Sequence, residues 1–186
     1  MKREALLVAL LMTLSVPPAL AAEWRIVRAE SRLEFVPTYQ GQEAKGVFHR
    51  FEVSLSSGSD APASGKLAVS VALASADMGS QDIDDAIRGN QWFDVTHGPE
   101  ARFASDDIVA QSDGRFLARG TLSLKGIERQ VAVPFTWWAA GDDARMQGQL
   151  VLRRIDFGIG TGEWASSESI GLDVTVRFDV KLRRKE

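Results

Sequence analysis

The chain has 186 residues, with 22 Lys and Arg against 25 Asp and Glu for a net charge of −3, two histidines and no cysteine. A mildly acidic chain has no electrostatic footprint for nucleic acid, which excludes that class of partner. The lack of cysteine excludes a disulfide-stapled scaffold, and the length suffices for one domain with an ordinary hydrophobic core.

The N-terminus predicts the compartment. Lys2 and Arg3 precede an almost wholly apolar run from Ala5 to Leu14, then Pro17, Pro18 and the small-residue stretch Ala19-Leu20-Ala21-Ala22. That order of charge, apolar run and Ala-x-Ala site describes a secretory signal peptide cleaved after Ala21 or Ala22. The apolar run is shorter than the roughly 20 residues a bilayer span needs. The expected organisation is therefore a signal peptide over 1–22 and one periplasmic domain over 23–186.

Period-two alternation dominates the chain beyond the signal peptide. Leu67, Val69, Val71 and Leu73 alternate with Lys66, Ala68, Ser70 and Ala72. Val131, Val133, Phe135 and Trp137 repeat the pattern, as do Met146, Gly148, Leu150 and Leu152. The longest instance is Ile170, Leu172, Val174, Val176, Phe178, Val180 and Leu182, interleaved with Asp173, Thr175, Arg177, Asp179 and Lys181. Such alternation makes strands with one dry and one wet face. The pattern places strands near 24–28, 32–39, 46–55, 65–73, 100–109, 115–124, 127–138, 145–154 and 170–182. Ser56 to Gly65, Ser112-Asp113-Gly114, Lys125-Gly126 and Ala139 to Ala144 supply the turns. One helix interrupts them: Ser80 is a candidate N-cap, Ile83, Ala86 and Ile87 fall at helical spacing, and Gly89 ends it after Arg88. Many short strands with a single helix predict an all-β sandwich or barrel, the helix lying over a barrel mouth.

Residues that carry chemistry are sparse. His49 and His97 have no metal-ligand spacing and are expected in loops or on the surface. There is no Gly-x-Ser-x-Gly elbow. Asp82, Asp84 and Asp85 do not fit a calcium loop and suit the start of a helix dipole. Gly158, Gly160 and Gly162 alternate without a strand-loop-helix context, so they predict a bend or close approach rather than a nucleotide site. Lys181, Arg183, Arg184 and Lys185 form a basic tail, read as a solvated strand end, with anionic lipid headgroups as the alternative contact. Neither a metal nor a cofactor is called for, and no catalytic residue is assigned.

Large apolar side chains on strand faces are the remaining signal. By alternation the candidate inward face comprises Phe35, Phe51, Val69, Val71, Phe103, Phe116, Phe135, Leu150, Val176 and Phe178, with Phe93, Phe157 and Trp164 near the mouth. Aromatics also dominate ordinary cores, and a barrel of about eight strands is either filled by its own side chains or holds one ligand.

Four spaced blocks carry a family resemblance. Gly46-Val47-Phe48-His49-Arg50-Phe51 is similar to the Gly-x-Phe-x-x-Phe strand of the YceI-like family. Trp92-Phe93-Asp94-Val95, followed by Pro99 and Ala101-Arg102-Phe103-Ala104-Ser105, resembles that family's aromatic-Phe-Asp-Val block. Gly120 to Ile127, with Val133-Pro134-Phe135 after it, resembles its Gly-x-Leu-Thr-Leu-x-Gly-Val hairpin, and Arg154 to Gly160 its last signature. Many members carry Arg-Asp-x-His before the second block, where this chain has Gln81 to Asp85. The resemblance implies a lipocalin-like, eight-stranded antiparallel barrel, usually periplasmic, that binds polyisoprenoid or other long amphipathic lipids. It also implies association with membrane b-type cytochromes, and hence isoprenoid quinones as ligands. The expected function is a carrier that binds this lipid in the barrel through the inward residues named above. The competing readings are an envelope stress or interaction protein with a self-filled barrel, and a secreted lipid-modifying enzyme.

Overall fold

The computed structural model describes residues 22–185, so the predicted signal peptide lies outside the described residues, save for Ala22. Twelve strand segments span these residues: β1 (Ala22–Ile26), β2 (Arg32–Tyr39), β3 (Gln42–Glu43), β4 (Gly46–Phe48), β5 (Phe51–Ser57), β6 (Lys66–Ala72), β7 (Ala76–Asp77), β8 (Glu100–Ala110), β9 (Phe116–Leu124), β10 (Ile127–Ala140), β11 (Asp143–Arg153) and β12 (Ile170–Arg184). The helix α1 covers Gln81–Arg88 between β7 and β8.

These segments build an eight-stranded closed antiparallel barrel. The ring runs β1-β5-β6-β8-β9-β10-β11-β12, and β12 pairs back to β1. β12 is long enough to serve two partners, β1 near its end (Trp24 opposite Arg184) and β2 before that (Phe35 opposite Val176). β1 and β2 are thus one stave, kinked by the 3₁₀ turn Arg28–Glu30. β4 and β5 form a second, bent at His49-Arg50, and β6 and β7 a third, broken by the 3₁₀ turn Leu73–Ser75. β3 is a short extension beside β2. Alternation over 46–55 predicted one strand there, whereas the stave bends in its middle. Ser75 accounts for the bend: its hydroxyl accepts the Arg50 N–H at 3.0 Å, taking that donor out of the ladder. Closure leaves no long free edge for pairing with other chains.

The two ends of the barrel differ. At one end Trp24 meets Trp137 edge-on, with ring centroids 5.4 Å apart, and the Arg184 guanidinium lies 4.7 Å over the Trp24 ring. The Ser56–Gly65 loop folds across this end with Pro62 fully buried, and the Trp137 indole N–H donates to the Asp60 carbonyl at 2.9 Å. At the other end β7 pairs only with β4. The wall between β7 and β8 is completed there by α1 and the segment 89–99. α1 ends at Gly89 as predicted, but the Ser80 side chain makes no cap bond. The Asp84 carboxylate instead accepts the Met78 N–H at 2.7 Å, tying the helix to the strand it leaves.

Candidate functional site

The half of the barrel toward α1 is hollow. A cavity of about 600 Å³ opens there, within the range of small-molecule sites. Its wall collects the inward residues of successive staves: Leu33 and Phe35 of β2, Phe51 and Val53 of β5, Leu67, Val69 and Val71 of β6, Ala101 and Phe103 of β8, and Leu122 and Leu124 of β9. Val131 and Val133 of β10, Met146, Leu150 and Leu152 of β11, and Val174, Val176, Phe178 and Val180 of β12 complete it. The register explains why they converge. Val53 faces Val69, Val69 faces Phe103 and Phe103 faces Leu122, so one layer of apolar side chains passes across four strands on the same face.

The rim comes from the irregular segments. Met78, Ile83, Ala86 and Ile87 descend from α1 and its approach, Trp92 and Phe93 from the segment after it, and Phe157, Ile159 and Trp164 from the connection between β11 and β12. Phe35, Phe48 and Phe93 form an aromatic cluster with centroids 4.7 to 6.1 Å apart, and Trp92 lies 5.9 Å from Trp164. Ile83 and Tyr39 stay about half exposed, giving the mouth an apolar lip.

Two cations hold the rim together. The Arg154 side chain is buried, and its guanidinium donates to the carbonyls of Ile159, Gly160, Trp164, Ser166, Ile170 and Gly171 at 2.7 to 3.0 Å. Burial pushes its pKa down from the usual value, while the carbonyls take up its donors. Gly160 is needed at this cage because a Cβ there would overlap the Arg154 guanidinium, and its φ of +72° favours glycine independently. Lys125 donates to the carbonyls of Asn90 and Gly158 at 2.6 and 2.8 Å, linking the two rim segments to the β9–β10 turn. Burial lowers the Lys125 pKa, and the nearby charge of Asp94 opposes that shift. Among the described residues, Asp82 and Arg154 are the only charged side chains lining the cavity.

Every inward residue singled out in the sequence lines this cavity except Phe116 and Phe135. Those two require a correction. They face inward as alternation demands, but lie in the filled end, their rings stacked with centroids 5.7 Å apart. Phe48, Trp92 and Ile159 were missed, whereas Ile83, Ala86 and Ile87 belong to the helix expected over the mouth and do line it. The signal for the missed residues was present at Phe48 and Trp92, which stand in the motif blocks, and absent for loop residues whose facing no periodicity fixes.

The other candidates have bland surroundings. His49 pairs with Asp77 and His97 with Asp94, each at 2.8 Å and each histidine exposed. Among the described residues there is no group of three or more His, Cys, Asp or Glu side chains able to hold a metal ion. Gly158, Gly160 and Gly162 sit in the rim connection with left-handed φ of +63°, +72° and +65°, not in a strand. The basic tail lies at the filled end, and its cations pair with Glu30, Asp143, Asp60 and Glu23. It is therefore turned away from the cavity mouth.

A closed antiparallel barrel with an apolar interior cavity under a helical cover defines a lipocalin-like binding protein. The YceI-like domain matches residues 24–182, and the chain belongs to the YceI-like family. A UPF0312 protein of Pseudomonas putida is 28% identical over 173 residues, covering 88% of this chain and 89% of its own. Among solved structures, Burkholderia cenocepacia BcnA superposes with a TM-score of 0.80 at 27% identity, covering 84% of this chain and 98% of its own. A polyisoprenoid binding domain from Saccharophagus degradans shares the fold, with a TM-score of 0.69 at 16% identity, over 87% of this chain and 98% of its own.

Proposed function

We propose that this protein is a periplasmic carrier that holds one polyisoprenoid or isoprenoid-quinone-type lipid by its tail inside the barrel. The cavity carries this reading: its wall is built from aliphatic and aromatic side chains of successive staves. Arg154, one of its two charged lining residues, has its donors committed to backbone carbonyls. Such a space suits an unbranched or methyl-branched hydrocarbon and offers little to a compact polar molecule. Periplasmic residence rests on the Lys2/Arg3 start and the Ala19-to-Ala22 site. The polyisoprenoid-binding neighbour lends support through its fold. The finer part, a quinone headgroup delivered to a membrane b-type cytochrome, is supported by the family resemblance alone.

At roughly −0.3 kcal/mol per heavy atom, a tail of about 30 atoms gains about −9 kcal/mol. That corresponds to a Kd on the order of 0.3 μM, tight enough to carry and weak enough to release. The hollow half favours this reading over a barrel filled by its own aromatics. Lipid extraction and mass spectrometry of protein recovered from the native envelope test it. A long isoprenoid lipid in near-stoichiometric amount supports the carrier, and its absence from folded, envelope-derived protein counts against it.

A further inference from the structure

The two charged side chains that line the cavity stand in opposite conditions. Arg154 keeps no free nitrogen: its Nε donates to the Gly171 carbonyl, its Nη1 to those of Ile159 and Gly160, and its Nη2 to those of Trp164, Ser166 and Ile170. Asp82 is exposed and takes part in none of the ion pairs or side-chain hydrogen bonds among the described residues. It stands on α1 directly before the half-exposed Ile83 and one turn before Ala86, both of which line the cavity as well. Its carboxylate therefore sits where the apolar wall meets solvent. The cations next in the chain to lining residues are engaged elsewhere. Lys45, beside Ala44, pairs with Glu34 at 2.7 Å, and Arg88, beside Ile87, pairs with Asp85 at 2.8 Å. Lys125, beside Leu124, donates to the carbonyls of Asn90 and Gly158.

We propose that Asp82 selects the headgroup of the bound lipid: the mouth takes an uncharged head, such as an alcohol or phenol, and disfavours a phosphate or carboxylate. This selection rests on the carrier reading and narrows the class of ligand it takes. A tail held by the apolar wall leaves its polar head at the lip, because a head drawn inside loses water and finds no free donor in Arg154. An ionised carboxylate is an acceptor only, so it accepts a hydrogen bond from a hydroxyl head and offers none to an anionic one. Two negative charges at the lip repel, and an apolar wall on one side strengthens that repulsion over its value in bulk water.

The test titrates delipidated protein with an all-trans isoprenol and with its monophosphate, which share one tail and differ only in the head. The ratio of their two dissociation constants is the quantity read, so the tail contacts cancel. The natural chain should bind the alcohol more tightly. Asp82→Asn should narrow the ratio by roughly three- to tenfold, the size of one like-charge contact near a protein surface, with the alcohol's affinity nearly unchanged. Asp82→Lys should narrow it further or invert it. Asp113→Asn removes one negative charge from the β8–β9 turn, beside Phe116 at the filled end, and should leave the ratio in place. Added salt should narrow the ratio in the natural chain more than in Asp82→Asn. Equal affinity of the natural chain for alcohol and phosphate overturns the proposal, as does an unmoved ratio in Asp82 variants whose melting curves show them folded. Asp82→Asn, a change of nearly equal shape at an exposed position, serves if the lysine variant does not fold. Failure of the alcohol to bind overturns the carrier reading and the selection together, whereas alcohol binding with an unmoved ratio overturns the selection alone.

Discussion

Arg154 and Glu34 are the charged side chains buried among the described residues, and they are satisfied by different means. Arg154 has no acid beside it and is held by six carbonyls, a geometry that needs the fork of a guanidinium. Lysine offers three donors from one point and leaves carbonyls unpaired. Arg154→Lys should therefore cost about 2–4 kcal/mol, by the usual penalty for stranding buried polar groups. Urea melts would measure the loss, and hydrogen exchange should quicken over residues 158–171. For Glu34, burial pushes the pKa up, but the hydrogen bonds and charges of Lys45 and Arg32 outweigh it, so the carboxyl is held below its ordinary value. A lowered carboxylate pKa gives stability that is fully present above the unfolded value of about 4.3 and is lost as pH falls through the folded value. Unfolding free energy measured against pH should fall on the acid side of that value, and Glu34→Gln should flatten the fall. An acid limb unaltered in Glu34→Gln would show that the ion pairs with Lys45 and Arg32 contribute nothing. Neither role was legible in the sequence, since burial and partner carbonyls depend on where distant loops return.

Strand patterning was far more legible at the scale of elements, and its failures have a common cause. Alternation located the staves and the faces of their side chains, because a strand cannot turn neighbouring residues to one side. It did not show that three staves kink, since each kink depends on hydrogen bonds from another segment, such as Ser75 taking the Arg50 N–H. Nor did it show depth along the barrel. Phe135 and Val133 share a face and differ only in level, and level is set by strand tilt and by which residues cross from the opposite wall. Glycines mark the places where the staves approach too closely for any side chain. A Cβ at Gly120 would overlap the Ala104 carbonyl at the bulge of β8, and one at Gly46 would overlap the Phe35 ring. Gly120→Ala should destabilise by about 1–3 kcal/mol, as overpacking against backbone does. A melting temperature equal to that of the natural chain would show that the bulge absorbs the methyl.

The whole molecule divides into a filled end that closes the ring and a hollow end that is available to a ligand. The division assigns stability to the layer of Trp24, Trp137 and Phe135, and binding to the wall above it and the rim held by Arg154 and Lys125. Composition and motif blocks announced the barrel and its family, but whether the interior was full or hollow depended on packing that no single stave encodes. Val176→Phe, placed in the cavity wall opposite Phe35 and Leu150, adds volume without charge and should lower lipid occupancy or select a shorter chain. The most direct measurement is native mass spectrometry of the envelope-derived protein, with the bound species released and identified, beside a folded Val176→Phe variant. The account predicts one long, largely hydrocarbon lipid per chain, reduced or shortened in the variant. Folded protein that carries no lipid from its own envelope, or equal lipid in both, would contradict it.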